Sequence, residues 1–323
     1  MAPASPLSRS ALTFYTLIAL IAFAANSVLC RLALSNEQAL PLIDPSSFTA
    51  IRLASGALML ALLMHLSSTK NRTTLNKSSA QPHGSFLAAA LLFVYAIGFS
   101  YAYVLLDTAT GALVLFAAVQ MSMMLMSYIQ GHRLNRLEIL GALIAFAGFG
   151  YLVWPSVVVA HGELSITGMV LMAISGCAWG GYTLLGKGTA KPLFASGYNF
   201  IRTIPLVLLM LALVWLLSSL MPVDAMQSTS AGLAFNVSSQ GVLLAILSGA
   251  LASGVGYALW YQALSGLSAN HAAVLQLLVP VIAAVGGVIF VGEQLSVHLI
   301  LCASIILFGI ALVIVAKQPI NFN

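Results

Sequence analysis

The fold is decided by residues 268–316, which read S-A-N-H-A-A-V-L-Q-L-L-V-P-V-I-A-A-V-G-G-V-I-F-V-G-E-Q-L-S-V-H-L-I-L-C-A-S-I-I-L-F-G-I-A-L-V-I-V-A. The stretch contains two long apolar segments separated by a short break that carries one charge. When Gly292 is aligned with Gly131, Gly309 falls on Gly148 without a gap. Matching leucines between two apolar segments are expected by chance, but two glycines and a helix break at the same offset are not. The sequence therefore predicts an internal duplication.

The composition places the chain in a membrane. Hydrophobic residues make up 61% of it, charged residues only 6%, and the mean hydropathy is +1.04. A soluble domain carries about 25% charged residues. Crossing the hydrocarbon core takes about 20 apolar residues in a helix, and the alternation typical of barrel strands is absent. The predicted fold class is all-α integral membrane.

Ten apolar segments are separated by short breaks rich in Pro, Gly and charged residues. None of the breaks is long enough to hold a soluble domain. The predicted transmembrane helices are 11–34, 46–68, 85–105, 109–130, 137–155, 165–186, 197–221, 240–264, 269–291 and 295–316.

Charged residues sort to opposite sides of these helices. The basic residues lie at the termini or in the loops after helices 2, 4 and 6: Arg9, Lys70, Arg72, Lys77, Arg133, Arg136, Lys187, Lys191 and Lys317. The acids occupy the other side, with Glu138 as the exception: Glu37, Asp44, Asp107, Glu163, Asp224 and Glu293. By the positive-inside rule, both termini are cytoplasmic. The net charge of +5 then needs no nucleic-acid partner.

Five helices in each half imply that the second half inserts upside down, which gives a five-plus-five inverted repeat over residues 11–155 and 164–317. Other helix pairs support the alignment: residues 48–52 read F-T-A-I-R and residues 198–202 read Y-N-F-I-R. Inverted repeats let a carrier exchange inward-open and outward-open states around a site at the midplane.

These features together resemble the EamA branch of the drug/metabolite transporter superfamily. The resemblance rests on the repeated aromatic-x-x-Ile-Arg pattern, on Pro280 inside helix 9, and on Gly292-Glu293-Gln294-Leu295 between the last two helices, and it covers residues 11–316. It implies a bacterial inner-membrane carrier that exports small metabolites, often amino acids or related amphipathic compounds. Helices 1–4 and 6–9 would surround the cavity. The first half departs from the pattern, because His132 is aligned with Glu293 and Val119 is aligned with Pro280.

Aromatic side chains four residues apart lie on one helix face, and the sequence places such pairs on helices 3 and 8. A wall for an amphipathic substrate is one interpretation, and ordinary packing is the other. The polar candidates are amides inside spans, for which hydrogen bonding between helices is the alternative. The predicted substrate-binding residues are Asn26, Phe99, Tyr103, Gln120, Trp179, Tyr182, Tyr257, Trp260, Tyr261 and Gln276.

Four residues are candidates for gating. Arg52 and Arg202 either hold anionic substrate groups or move with a gate, or else they extend to the interface. Pro280 removes a backbone donor and is expected to bend helix 9, and His271 is the candidate that titrates near neutral pH. Arg31 and Lys187 are interpreted as interfacial anchors.

No acidic residue falls in the middle of a predicted span, which disfavours proton coupling through a membrane carboxylate. Facilitated diffusion, exchange and coupling through His271 stay open. The expected partners are a small-molecule substrate and the lipid bilayer, and a homodimer is left open. No cofactor, metal site or enzymatic activity is expected. The alternatives are a passive channel, or an intramembrane protease or lipid-linked transferase, for which Ser253 in A-S-G-V-G is the one nucleophile candidate.

Overall fold

A computed structural model describes residues 9–35, 41–70, 84–129, 135–158, 165–186, 189, 191–220, 235–264 and 275–316. These residues form ten helices and no strand: α1 Arg9–Leu34, α2 Pro45–Lys70, α3 Phe86–Leu105, α4 Thr108–Ile129, α5 Arg136–Val158, α6 Ile166–Gly186, α7 Pro192–Leu220, α8 in three parts (Ser239–Ile246, Leu247–Val255 and Gly256–Leu264), α9 in two parts (Leu278–Gly286 and Gly287–Val291), and α10 Val297–Ala316.

Eight of these helices are long and apolar enough to cross a membrane, and Leu278–Val291 is a shorter apolar helix. Their outward faces are apolar as well; Trp215, for example, is 64% exposed. Exposed apolar faces of this extent require lipid around them. The predicted all-α membrane fold is thereby confirmed.

Helix packing follows one scheme in both halves. α1 packs on α8 and α9, and α6 packs on α3 and α4; α2 packs on α8, and α7 packs on α3. α2–α7, α4–α9 and α5–α10 form the remaining large contacts between the halves. Replacing each helix by the one five places along the chain preserves this scheme, as the predicted duplication requires.

Hydrogen bonds between loops give the helix directions. Arg31 at the end of α1 and Thr108 at the start of α4 both contact Glu293, which follows α9. Asp44 at the start of α2 accepts from the backbone of Asn236, just before α8. We call this the acidic end of the bundle.

At the opposite end, the backbone N–H of Ser85 before α3 donates to Asn199 near the start of α7, at 2.9 Å. Asn135, at the start of α5, donates to the carbonyl of Ala316 at the end of α10. The described basic residues Arg9, Lys70, Arg136 and Lys191 begin or end helices here, so we call this the basic end. Helices α2 and α7 thus begin at opposite ends, and so do α3 and α8, which is the arrangement of an inverted repeat.

Among the residues that the structure describes, one acid lies at the basic end, and it has a local role. Glu138 accepts from the backbone N–H of Asn135 at 2.7 Å, and Asn135 accepts from the backbone N–H of Glu138 at 2.9 Å. This reciprocal pair is a capping box that satisfies two free donors at the start of α5. Helix capping therefore accounts for the charge that breaks the sorting rule.

The middle of α8 is a π-helix, Leu247–Val255. It crosses α2 so closely that a Cβ on Gly249 would meet the carbonyl oxygen of Arg52 and the hydroxyl of Ser55. Only glycine fits this crossing. The sequence predicted a helix here but not its wider winding, which is a feature often found at functional sites.

Candidate functional site

Nine aromatic side chains from five helices meet inside the bundle. Their ring centroids are linked through neighbours 4.7–5.9 Å apart. We call this group the aromatic cluster: Phe23 on α1; Tyr95, Phe99 and Tyr103 on α3; Trp179 and Tyr182 on α6; Phe200 on α7; and Tyr257 and Trp260 on α8. Both halves of the chain contribute to it.

Trp179 links the rings that α3 contributes to the aromatic cluster with those that α8 contributes. Its ring stacks on Tyr257 at 5.0 Å and 28°, and it lies 4.8 Å from Tyr95. On the other side of Tyr257, the ring of Phe23 makes an edge contact at 5.7 Å. Offset and edge-to-face pairs of this kind contribute about 0.5–1.5 kcal/mol each beyond area burial. The cluster therefore holds α1, α3, α6 and α8 together.

A cavity of about 20 Å³ lies between these rings. Besides cluster members it is lined by Asn26, Ser27, Leu115 and Phe116, so α1 and α4 close two of its sides. A space of this size holds about one water molecule. The space between the rings in this structure therefore has no room for a molecule the size of a metabolite.

Arg52 lies against the aromatic cluster and is only 2% exposed. Its Nη2 donates to the Tyr95 hydroxyl at 2.9 Å. Its guanidinium carbon sits 4.7 Å from the ring centre of Phe99 and 5.2 Å from that of Tyr95. Its Nη1 is buried without a hydrogen-bond partner. Since a buried donor without a partner costs about 1–3 kcal/mol, this atom is the most unusual polar feature of the site.

Asn26 connects α1 to the π-helix of α8. Its Oδ1 accepts from the hydroxyl of Ser248 at 2.8 Å and from that of Ser253 at 3.4 Å. With both contacts made by the oxygen, the amide nitrogen keeps its donors for the cavity that Asn26 lines. The amide is thus held in place by α8 and presents polar groups among the rings.

A charged cluster, which we define as Arg31, Asp107, Thr108 and Glu293, covers the aromatic cluster at the acidic end. Arg31 donates to Glu293 at 3.2 Å, to Asp107 at 3.3 Å, and to the carbonyl of Tyr103 at 3.0 Å. The side chains of Arg31 and Glu293 are 9% and 7% exposed, whereas that of Asp107 is 52% exposed. Three helix ends from both halves meet in these contacts.

The Gly292-Glu293 motif explains how Glu293 reaches this position. Gly292 has φ +82, a left-handed conformation that glycine adopts without strain. The chain turns there, and the N–H of Glu293 bonds to the carbonyl of Gly287 at 3.1 Å. The Glu293 carboxylate then accepts from the backbone N–H and the hydroxyl of Thr108, both at 2.9 Å. It caps the start of α4, where the helix dipole favours a negative charge.

Comparison with known proteins identifies the kind of protein that carries this site. Residues 166–315 match the model of the EamA-like transporter family. The chain belongs to the EamA-like transporter family. It is 43% identical over 302 residues to an uncharacterized protein of Pseudomonas aeruginosa, covering 94% of each chain. A solved crystal structure of a protein superposes with a TM-score of 0.59 at 18% identity, covering 97% of this chain and 100% of that one; this similarity concerns the fold.

In this EamA-like protein, most residues expected at the site from the sequence lie together. Asn26 and six of the expected aromatic residues are in or beside the aromatic cluster: Phe99, Tyr103, Trp179, Tyr182, Tyr257 and Trp260. Gln120 and Gln276 are half-buried, and neither lines the cavity. The side chain of Tyr261, together with His271 and Lys187, lies outside the described residues.

Six cavity or cluster residues were not among the expected site residues: Phe23, Ser27, Tyr95, Leu115, Phe116 and Phe200. Tyr95 precedes Phe99 by four residues, so the spacing that selected Phe99 and Tyr103 extends one turn further. Phe116 and Phe200 have no such pattern in the sequence. Their position depends on which helix faces touch.

The structure corrects the interfacial interpretation of two arginines. Arg52 does not reach a membrane surface, because its side chain is buried against Tyr95 and Phe99. Arg31 is not a lipid anchor, because it joins the charged cluster. Arg202 differs from both: its guanidinium is half-buried near the basic end, over Phe86 at 5.3 Å.

Pro280 is buried near the start of the described part of α9. A turn at Leu277 interrupts the helical residues before it. The carbonyl that a residue other than proline would bond at position 280 belongs to Gln276, one turn earlier. The break in α9 therefore falls where the missing hydrogen bond predicts it.

A second, larger cavity of about 420 Å³ lies between α4, α5 and α6. It contains none of the expected site residues, and its wall includes Leu125, Tyr128 and Phe146, each more than half exposed. It is an apolar recess on the outer surface of the bundle. Its size does not make it the substrate site, because it presents almost no polar group to orient a ligand.

Proposed function

We propose that this protein is a carrier that moves a small amphipathic molecule across the bacterial inner membrane by alternating access. The aromatic cluster is its substrate site, and the charged cluster is its outer gate. Export is the direction that the family resemblance implies.

The observation that carries this proposal is the aromatic cluster around the closed cavity. Its rings come from helices of both halves, so any rocking of one half against the other separates them and opens the site. Inverted repeats place substrate sites at this interface. A ligand would replace ring–ring contacts by ring–ligand contacts, so the site is suited to a molecule with an apolar body.

The charge distribution gives the orientation. The basic end faces the cytoplasm by the positive-inside rule, and both termini lie there. The acidic end then faces the periplasm. The charged cluster ties three helix ends together on that side, so the conformation described is closed toward the periplasm.

Carboxylates are absent from the nine residues that line the central cavity. Asp107 and Glu293 are engaged with Arg31 at the acidic end. We therefore propose facilitated diffusion or exchange in preference to proton coupling through a carboxylate at the site.

The surroundings of Ser253, the nucleophile candidate of the enzyme alternative, give that alternative no support. Ser253 lies in the π-helix of α8, and its hydroxyl donates to Asn26 on α1. Among the described residues, no base accepts a hydrogen bond from this hydroxyl. A passive channel is separated from a carrier by kinetics, because carrier flux saturates with substrate concentration.

The test compares the small molecules released by cells that overproduce the protein with those released by cells carrying an empty vector. Trp179→Ala removes the central ring; the loss of about 1–3 kcal/mol of burial corresponds to a roughly fivefold to 150-fold weaker half-saturation. Trp215→Ala removes an equal ring from the outer face and leaves the flux unchanged. No difference between overproducing and control cells refutes the carrier, and flux that rises without saturation identifies a channel.

A further inference from the structure

The guanidinium of Arg52 is a positive charge without an anionic partner. Among the described residues, no ion pair within 4.0 Å includes Arg52, and its Nη1 has no hydrogen-bond partner at all. Buried charges are normally paired because their desolvation is costly. The ring faces of Phe99 and Tyr95 offset part of that cost, but they leave the Nη1 donor unused.

The free donor lies next to the substrate cavity. Tyr95 and Phe99, which contact the guanidinium, both line that cavity. Separation of these rings when the site opens brings Nη1 within reach of a ligand. The amide nitrogen of Asn26 is a second donor on the cavity wall, since Ser248 and Ser253 occupy the amide oxygen. One positive charge and one neutral donor suit a single carboxylate. A phosphate dianion would need more positive charge.

The same wall has no acidic partner for a cation, and the guanidinium of Arg52, which already occupies ring faces of Tyr95 and Phe99, repels a second positive charge. The nine lining residues include no acid, so a substrate ammonium group would be desolvated without a counter-charge. The remaining surface is rings: Phe23, Trp179 and Tyr257 present faces or edges suited to a flat apolar body. The cavity is thus selective for ligand charge beside Arg52 and for ligand shape along the aromatic rings.

We propose that the substrate is an aromatic monocarboxylate without an ammonium group, whose carboxylate pairs with Arg52 and whose ring replaces contacts within the aromatic cluster. This inference rests on the proposed carrier function and narrows its substrate class. It separates aromatic acids from the aromatic amino acids that share their ring and chain.

Three probes with one ring and one chain length test the proposal: 3-phenylpropionate, phenylalanine and 2-phenylethylamine. Their dissociation constants are measured by equilibrium dialysis on the purified full-length protein in detergent at pH 7.5. We expect 3-phenylpropionate to bind at least about tenfold more tightly than phenylalanine, because only phenylalanine buries an unpaired ammonium. We expect no binding of 2-phenylethylamine.

Arg52→Met tests the residue. We expect it to weaken 3-phenylpropionate binding roughly tenfold to 150-fold, the loss of a charge-assisted hydrogen bond. The midpoint of thermal unfolding should stay the same or rise, because an unpaired buried charge is removed. Arg52→Lys keeps the positive charge but loses the planar guanidinium with its two parallel donors. Its affinity for 3-phenylpropionate should lie between those of Arg52→Met and the parent protein. Arg136→Met, at the basic end, removes a charge elsewhere and should change neither quantity.

Three results overturn the proposal: phenylalanine binding as tightly as 3-phenylpropionate, Arg52→Met binding 3-phenylpropionate as the parent does, or no binding of 3-phenylpropionate. None of these binding results bears on the carrier function, which is tested by the release of molecules from overproducing cells. Conversely, the expected order of affinities without any saturable release would support the ligand class and refute the carrier.

Discussion

Glu293→Gln should open the acidic end of the bundle. The substitution keeps one oxygen that accepts from the N–H of Thr108, so the start of α4 remains capped. It removes the charge that pairs with Arg31 and stands at the α4 terminus. Because the charged cluster joins α1, α4 and α9, these contacts exist only when the three helix ends are together.

The size of the effect follows from burial. Arg31 and Glu293 are more than nine-tenths buried at their side chains, and a hydrogen bond to a charged group contributes about 1.5–3 kcal/mol. Its loss shifts the ratio of outward-open to outward-closed protein by about tenfold to 150-fold. Asp107 is 52% exposed, so its ion pair is screened and is worth less than about 1 kcal/mol. Asp107→Asn should shift the ratio less than about fivefold.

The assay uses a single reporter cysteine, Ser27→Cys, on the cavity wall, with the native Cys30, Cys177 and Cys302 replaced by Ala. A membrane-impermeant maleimide is added outside intact cells, and its initial labelling rate reports the outward-open fraction. We expect a clear increase for Glu293→Gln and a small one for Asp107→Asn. Equal labelling of Glu293→Gln and the parent, at equal abundance and thermal stability, would refute the gate.

Three further predictions concern packing, hinge and orientation. Gly249→Ala should lower the thermal unfolding midpoint in detergent, because its Cβ meets the backbone of α2, whereas Gly150→Ala, whose Cβ meets nothing within 4 Å, should leave it unchanged or raise it; equal midpoints would contradict the close crossing. Pro280→Ala should change the labelling of the same reporter cysteine by restoring a hydrogen bond in α9, whereas Val119→Ala should not; identical rates would reduce Pro280 to a static kink. A reporter domain after Lys317 should read cytoplasmic, and an external reading would reverse the proposed orientation.

The helices could be predicted because hydropathy, and the Pro, Gly and charged residues that separate apolar segments, are local properties of the sequence. Where the structure describes the residues on both sides of a boundary, most predicted boundaries agree with it to within a few residues, and the largest difference among these is instructive. α7 begins at Pro192 rather than at 197. A proline read as a loop residue is instead the first residue of the helix, where its missing N–H costs nothing. Hydropathy could not show the π-helix of α8, because that winding depends on the crossing with α2.

The site was only partly predictable. Spacing of four residues selected Phe99 with Tyr103 on helix 3 and Tyr257 with Tyr261 on helix 8. Partners of charged residues could not be predicted, because they come from helices far away in sequence: Arg31 meets Glu293 across 262 positions. Whether an arginine is buried or interfacial depends on those partners, and the identical Ile-Arg pattern on α2 and α7 carries no information about them.

The different surroundings of the two arginines in the Ile-Arg pattern bear on the two gates of the proposed carrier. Arg52 is buried against the aromatic cluster and Arg202 lies over Phe86 near the basic end, so the shared Ile-Arg pattern does not give the two arginines the same surroundings. The charged cluster shows the same asymmetry, because His132 aligns with Glu293 and cannot supply a carboxylate to a matching arrangement at the basic end. In the carrier that we propose, the gate at the basic end therefore has no carboxylate at the position that matches Glu293. In the proposed carrier, an ion pair opposes opening at the acidic end, and substitution of its members should change that equilibrium, whereas salt screens a pair buried to this extent only weakly. The proposed carrier then has its resting conformation set by the charged cluster at the acidic end.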